Sequence, residues 1–237
     1  MNLFYTSNIK NNKAFLDESE SRHCSKVLRM KNGDDIFFID GAGGFYRGKL
    51  LNSAASECEI EIQEKQENYE KRPYYLHIAI SPTKNSDRFE WFLEKAAEIG
   101  VDKISPIICE HSERKKIRED RYKRIILSAV KQSVKAWIPK LEPLKSFDEF
   151  LKSVPPETDK FIAHCIKSEK WELLKEAGKS DSFLLLIGPE GDFSCQELEK
   201  ALKHDFKPVS LGKSRLRTET AGVAAAQIIA DAMSLKK

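Results

Sequence analysis

The sequence predicts an α/β protein with a mostly parallel sheet covered by helices on both faces, preceded by a small β-barrel. Three observations carry this reading. From Tyr74 onward strand-like and helix-like segments alternate, the order that builds parallel sheets. One of them, Ser182-Phe183-Leu184-Leu185-Leu186-Ile187, is an unbroken apolar run, as expected of a strand buried on both faces. Ahead of residue 72 the chain shows short strands separated by glycine-rich turns, the pattern of a small barrel.

The barrel strands are read at Asp35 to Asp40, Phe45 to Leu51 and Glu57 to Gln63, with Gly41-Ala42-Gly43-Gly44 as a turn. The last strand alternates cleanly, with Cys58, Ile60 and Ile62 on one face. A charged, glycine-free stretch from Gln63 to Arg72 then leads to Pro73, which places the domain boundary between residues 72 and 73. The domains so defined are 1–72 and 73–237.

In the second domain Leu76 to Ile80 is a strand ended by Ser81-Pro82. Asp87 with Glu90 reads as a capping box, Phe89, Phe92, Leu93, Ala96 and Ala97 mark one helical face, and Gly100 closes the helix. Lys103 to Cys109 is the next strand. A second amphipathic helix follows, with Tyr122, Ile125, Ile126, Ala129, Val130 and Val134 on its buried side. Ser146 and Ser194 each precede a glutamate by three residues and cap helices of their own. Phe161 to Cys165 and Pro208 to Leu211 are strands, and Ala221 to Met233 is an alanine-rich final helix.

Composition narrows the class. No apolar run approaches the roughly 18–20 residues that span a bilayer, and the first residues lack a signal-peptide pattern. A soluble cytoplasmic protein without a membrane partner is expected. The five cysteines are widely spaced with no C-x-x-C, which fits neither a disulfide framework nor a zinc site, so free thiols and no metal are expected. Net charge is only +3, but its distribution is uneven. Arg114 to Arg124 holds seven basic residues against two acidic ones, which reads either as a solvated helix face or as a surface for an anionic partner.

Two loops ask for more than packing. Gly188-Pro189-Glu190-Gly191-Asp192-Phe193-Ser194 follows the most apolar strand, where open α/β sheets bind ligands. Its glycines would let a ligand approach the backbone. It matches neither a phosphate loop nor a dinucleotide fingerprint, which argues against a nucleotide-dependent dehydrogenase. Leu211-Gly212-Lys213-Ser214-Arg215-Leu216-Arg217-Thr218-Glu219-Thr220-Ala221 offers two arginines, a carboxylate and hydroxyls ahead of a small-residue helix, with Thr218 or Thr220 available as N-cap.

Together these segments resemble the knotted SPOUT methyltransferases, and in particular the family that methylates N3 of a uridine in 16S ribosomal RNA. That family carries G-P-E-G and L-G-x-x-x-L-R-x-E-T-A motifs. The resemblance extends to Glu94 through Val101 and to Arg22-His23 with Val27-Leu28-Arg29. Asp192 departs from it, standing where a third glycine is common, as do Lys131 and Lys135.

The resemblance implies a deep trefoil knot, an exception to the rule that chains avoid knots, and a PUA-like RNA-binding barrel. It implies S-adenosyl-L-methionine as cofactor, held by Ile187, Gly188, Pro189, Gly191, Leu211, Gly212, Ser214, Leu216, Arg217 and Ala221. Arg217 is expected to stabilise the developing imide anion, with Glu219 as proton acceptor or as a partner that fixes Arg217. Arg22, His23, Arg29, Arg114, Lys115 and Lys116 are the expected RNA contacts, part of a basic surface spanning both domains. The implied partners are 16S rRNA in the small ribosomal subunit and a second copy in a homodimer. The alternatives are a non-catalytic RNA-binding or ribosome-assembly protein, and a knotted enzyme with another RNA target.

Overall fold

The computed structural model describes residues 2–155, 158–177 and 180–236. The chain divides into two compact units, one of Met1–Lys71 with Leu127–Ile138 and one of Arg72–Ile126 with Pro139–Lys237.

The first unit contains β1 (Leu3–Tyr5), β2 (Ile9–Lys10), β3 (Lys13–Phe15), α1 (Glu18–Arg22), β4 (Asp35–Ile39), β5 (Phe45–Ser53) and β6 (Cys58–Gln66). They pair into a curled six-stranded sheet in the order β1-β4-β5-β6-β3-β2. Its core gathers the alternating apolar residues Phe4, Leu16, Ile36, Phe38, Tyr46, Leu50, Cys58 and Ile60, with Phe38 and Tyr46 stacked at 4.7 Å. The glycine turn is braced by Asp40, which accepts from the Ala42 and Gly44 N–H groups and from the Tyr46 hydroxyl. Gly43, at φ 99, has room for no side chain, because the Trp137 indole fills the space a Cβ would take. Trp137 also donates to the Tyr69 carbonyl at 3.0 Å. α1 runs directly into one π-helical turn, His23–Val27, a form rare enough to mark a special segment.

The second unit begins with β7 (Tyr75–Ile80), α2 (Ser86–Ile99), β8 (Lys103–Ile108) and the first half of α3 (Glu119–Gln132), whose residues from Leu127 belong to the first unit. It continues with β9 (Lys140–Leu141), β10 (Lys145–Ser146), α4 (Phe147–Lys152), β11 (Asp159–Ala163), β12 (Trp171–Glu172) and α5 (Leu173–Glu176), then closes with β13 (Ser182–Ile187), α6 (Cys195–Lys203), β14 (Lys207–Ser210) and α7 (Thr218–Leu235). The sheet order is β10-β8-β7-β13-β11-β14-β12, with β9 beside β8, and its pairings are parallel.

The apolar run of β13 is explained by its place inside this sheet. Leu184 and Leu186 join Phe147, Phe150, Leu151, Ala201 and Phe206, the layer supplied by α4, α6 and the loop after it. On the other side α7 packs on β7, β13 and α2. That packing is close: a Cβ at Gly222 would come within 2.6 Å of Phe92. The small residues of the last helix are what let the helices approach.

Local signals were mostly right in kind and sometimes off in detail. Ser146 and Ser194 form full capping boxes with Glu149 and Glu197, and Gly100 closes α2 at φ 104. The N-cap of α2, however, is Asn85, whose side chain accepts the Asp87 N–H, so Asp87 belongs to the first turn instead. α3 ends at Gln132, and Val134 lies beyond it at φ 56, outside the helical stripe.

His77, on β7, bonds Ser105 at 2.8 Å and meets Phe150 edge-on. Burial, and then the Lys103 charge, lower its pKa to about 3. Below its ordinary value near 6.5 the unfolded chain takes up a proton that the folded ring refuses. This contribution to stability is therefore present above pH 6.5 and is lost as pH falls toward 3. Urea unfolding between pH 6.5 and 4 should show this decline, at most ~1.4 kcal/mol per pH unit from this one group. In His77→Gln, which keeps a partner for Ser105 and does not titrate, the decline should be shallower.

Candidate active site

The second unit encloses a cavity of about 610 Å³ at the carboxyl edge of the sheet, within the roughly 300–1,000 Å³ of small-molecule sites. Its walls come from three places distant in sequence: the end of β11 (Ala163, His164, Cys165), the loop after β13 and the loop after β14. Parallel pairing brings them together. Ala163 lies opposite Ile187 on one side and Val209 on the other, so β11 ends between the two loops.

Of the residues expected to hold the cofactor, Ile187, Gly188, Pro189, Leu211, Gly212, Ser214, Leu216, Arg217 and Ala221 line this cavity. Gly191 does not. A Cβ there would stand 2.9 Å from the His111 side chain, so its missing side chain makes room for the protein itself. Gly188 is similar, since the Phe193 ring occupies the direction of its absent Cβ at 3.0 Å. Gly212 is glycine for a backbone reason, its φ of 133.

The two loops are tied by one hydrogen bond. The Thr218 hydroxyl, buried, donates to the Gly188 carbonyl at 3.0 Å. Thr218 is therefore not the helix cap expected from sequence. Arg217 holds the N-cap position without a side-chain capping bond, and Thr218 is the first helical residue. Elsewhere the Gly188–Ser194 loop is held by main-chain partners: Glu190 accepts the Lys84 N–H at 3.0 Å, and Asp192 accepts from Cys165 and Phe193.

Arg217 stands exposed on the cavity wall, and among the described residues its side chain makes no ion pair or hydrogen bond. Glu219 is placed differently. It is buried outside the cavity lining, with Oε1 3.9 Å from Arg88 and Oε2 unpartnered. The expected Glu219–Arg217 bond is absent among the described residues, because the first turn of α7 points the two side chains to different surroundings.

Lys170, Lys213, Arg215 and Arg217 line the cavity against Glu190 and Asp192, an excess of positive charge that suits an anionic substrate. His164 lines it too, buried, and sequence reasoning passed over it. Its signal was the strand end at Phe161 to Cys165, the edge where such sheets bind ligands. Neither ring nitrogen has a hydrogen-bond partner of proper geometry. Burial, then the Lys170 charge, push its pKa down, only partly opposed by Asp192 and the Ile166 main chain. An orphaned polar ring at the wall and small residues such as Gly188 and Ala221 fit the uncharged, compact adenosine half of S-adenosyl-L-methionine. Among the described residues no cluster of His, Cys, Asp and Glu is placed to hold a metal ion, and no helix is long and apolar enough to cross a membrane.

The expected RNA contacts fall into two kinds. Arg22, His23 and Arg29 are exposed around the π-helical turn of the first unit, Arg29 at φ 53. In the second unit Lys115 and Lys116 are exposed. Arg114 is instead half-buried and spends its guanidinium on the Thr83 and Lys84 carbonyls, pinning the loop before α2.

Residues 70–230 match the family model described as an RNA methyltransferase domain, and residues 16–63 the RNA methyltransferase PUA domain. A ribosomal RNA small subunit methyltransferase E of Aquifex aeolicus is 30% identical over 97% of this chain and 99% of its own. The chain belongs to the ribosomal RNA small subunit methyltransferase E family. Among solved structures it is similar to a probable rRNA methyltransferase from Porphyromonas gingivalis, with 36% identity, 100% of both chains covered and a TM-score of 0.89. It is also similar to the family's Neisseria gonorrhoeae member bound to S-adenosyl methionine, with 29% identity, 96% and 95% coverage and a TM-score of 0.84.

Removing the Thr218–Gly188 hydrogen bond should be felt twice. Thr218→Val keeps the shape and leaves the Gly188 carbonyl unpaired, so it should cost about 1–2 kcal/mol of stability and loosen cofactor binding. Denaturant midpoints and calorimetric titration with S-adenosylhomocysteine would check both. At Asp192, whose φ is 66, alanine should lose about 1–2 kcal/mol because it keeps the left-handed strain without the two carboxylate bonds that offset it, whereas glycine, free of that strain, should stay closer to the parent.

Proposed function

We propose that this protein transfers the methyl group of S-adenosyl-L-methionine to N3 of a uridine in the 16S rRNA of the small ribosomal subunit. The observation that carries the reading is the convergence of the two motif loops and the end of β11 around one cationic cavity, in a chain of this family. The SAM-bound Neisseria relative supports the choice of donor. When bound, the cofactor supplies a methyl carbon activated by its sulfonium.

The chain's own part is to bind, orient and stabilise charge. Main-chain groups of Ile187, Gly188, Leu211 and Leu216 hold the adenine, whose edge pairs with amide N–H and C=O groups. Attack through N3 requires loss of the uracil imide proton, which passes to solvent water, and the resulting charge spreads onto the base oxygens. Arg217 stands free at the wall to stabilise it. Both carboxylates of the lining are already engaged by main-chain N–H groups, which favours charge stabilisation by cations over a carboxylate base. Arg22, His23, Arg29, Lys115 and Lys116 contact phosphates, so binding weakens as salt rises.

The reading also takes over from the resemblance a trefoil knot in the second unit, cytoplasmic location and a homodimer whose second copy completes the site. The exposed rim at Gly212, Lys213, Ser214, Arg215 and Arg217 supports the last point, since the chain alone leaves it uncovered.

The test incubates the purified protein and labelled S-adenosylmethionine with small subunits lacking the modification, then identifies the methylated nucleoside by mass spectrometry. N3-methyluridine in 16S rRNA is expected. Another methylated nucleoside would move the target, and neither methylation nor cofactor binding would favour an RNA-binding protein without catalysis. Arg217→Ala should lower turnover by roughly 10²–10³-fold while cofactor affinity changes much less. Full turnover in that variant would remove Arg217 from the mechanism.

A further inference from the structure

Among the described residues that line the cavity, His164 is a buried side chain whose two ring nitrogens make no well-formed hydrogen bond, the Ile166 main chain offering only a contact of poor geometry. A buried donor and acceptor left unmade is costly, and native structures keep such groups where something else completes them. Its position says what that is. Ala163 is the last paired residue of β11, held between Ile187 and Val209, so His164 is the first residue to leave the sheet between the two motif loops.

We propose that His164 is a cofactor-contact residue whose ring hydrogen-bonds the adenosine half of S-adenosyl-L-methionine, and that Asp192 positions it. The proposal rests on the methyltransferase reading above and names a residue of the same site. A neutral imidazole offers one N–H donor and one acceptor. The methionine end of the cofactor carries an ammonium that only donates and a carboxylate that only accepts. The ribose hydroxyls and the adenine edge do both, and so match the ring. Burial and the neighbouring Lys170 charge, which disfavour protonation, keep the ring in that neutral form.

Asp192 supplies the positioning. It stands where a third glycine is common, in a left-handed conformation that costs an L-residue backbone energy. Its carboxylate offsets that strain with two local bonds: Oδ2 accepts the Cys165 N–H at 2.7 Å and Oδ1 the Phe193 N–H at 2.9 Å. Its carbonyl accepts from His111 Nδ1 at 3.0 Å. The Cys165 bond fixes the peptide that follows His164, so the loop after β13 holds the end of β11 in place.

The experiment is calorimetric titration of the full chain with S-adenosylhomocysteine and with methylthioadenosine, which lacks the amino-acid end, together with melting of the ligand-free protein. His164→Phe should weaken both ligands by about tenfold or more, the equivalent of one or two hydrogen bonds. The ligand-free variant should melt at or above the parent, because an apolar ring replaces unmet polar atoms, whereas a merely structural histidine would leave it less stable. His164→Gln should recover part of the affinity, and Asp192→Gly should weaken both ligands by a smaller factor. Equal affinities in His164→Phe and the parent would overturn the proposal alone. A loss confined to S-adenosylhomocysteine would overturn it by moving the contact to the amino-acid end. A parent protein that binds neither ligand would remove the functional reading and this inference with it.

Discussion

Everything at the site depends on β11 lying between β13 and β14. Parallel strands place their carboxyl ends on one edge, and this order makes three segments separated by tens of residues neighbours there. The Thr218–Gly188 hydrogen bond then locks the loop after β13 to the loop after β14. Without that lock the two loops would be held separately, the first by its bonds to Lys84, Cys165 and His111. With it they form two sides of one cavity whose third side is the end of β11.

The glycines of the first loop show how such a cavity is kept rigid. Gly188 and Gly191 invite the reading that a ligand needs the space, yet the space is used by Phe193 and His111. The loop is packed against its own protein before any ligand arrives. Preorganisation of this kind lowers the ordering cost of binding. Asp192 achieves with hydrogen bonds what glycine achieves by lacking a side chain, and gains a hold on the neighbouring strand end.

Charge is distributed by depth. The cations Lys213, Arg215 and Arg217 are exposed, where water and salt moderate them and RNA can reach them. His164, buried at the wall, is disfavoured as a cation by its burial and by the Lys170 charge beside it. An unpaired charge at a buried position would pay a desolvation penalty that the exposed side chains avoid.

The sequence by itself determined much of this protein. An unbroken apolar run placed the strand Ser182–Ile187, a short apolar segment placed Leu76–Ile80 within β7, and serine–glutamate spacing placed α4 and α6, because these signals act within a few residues. The two motif loops were legible as a site because their residue types exceed what turns and caps require. Only the tertiary structure decided the rest. It grouped Leu127–Ile138 with the first unit, sent Thr218 to Gly188 rather than to its own helix, turned Glu219 away from the cavity and brought His164 to its wall. Each of these depends on which distant segment is adjacent, and adjacency comes from strand order and helix packing, which no local pattern encodes.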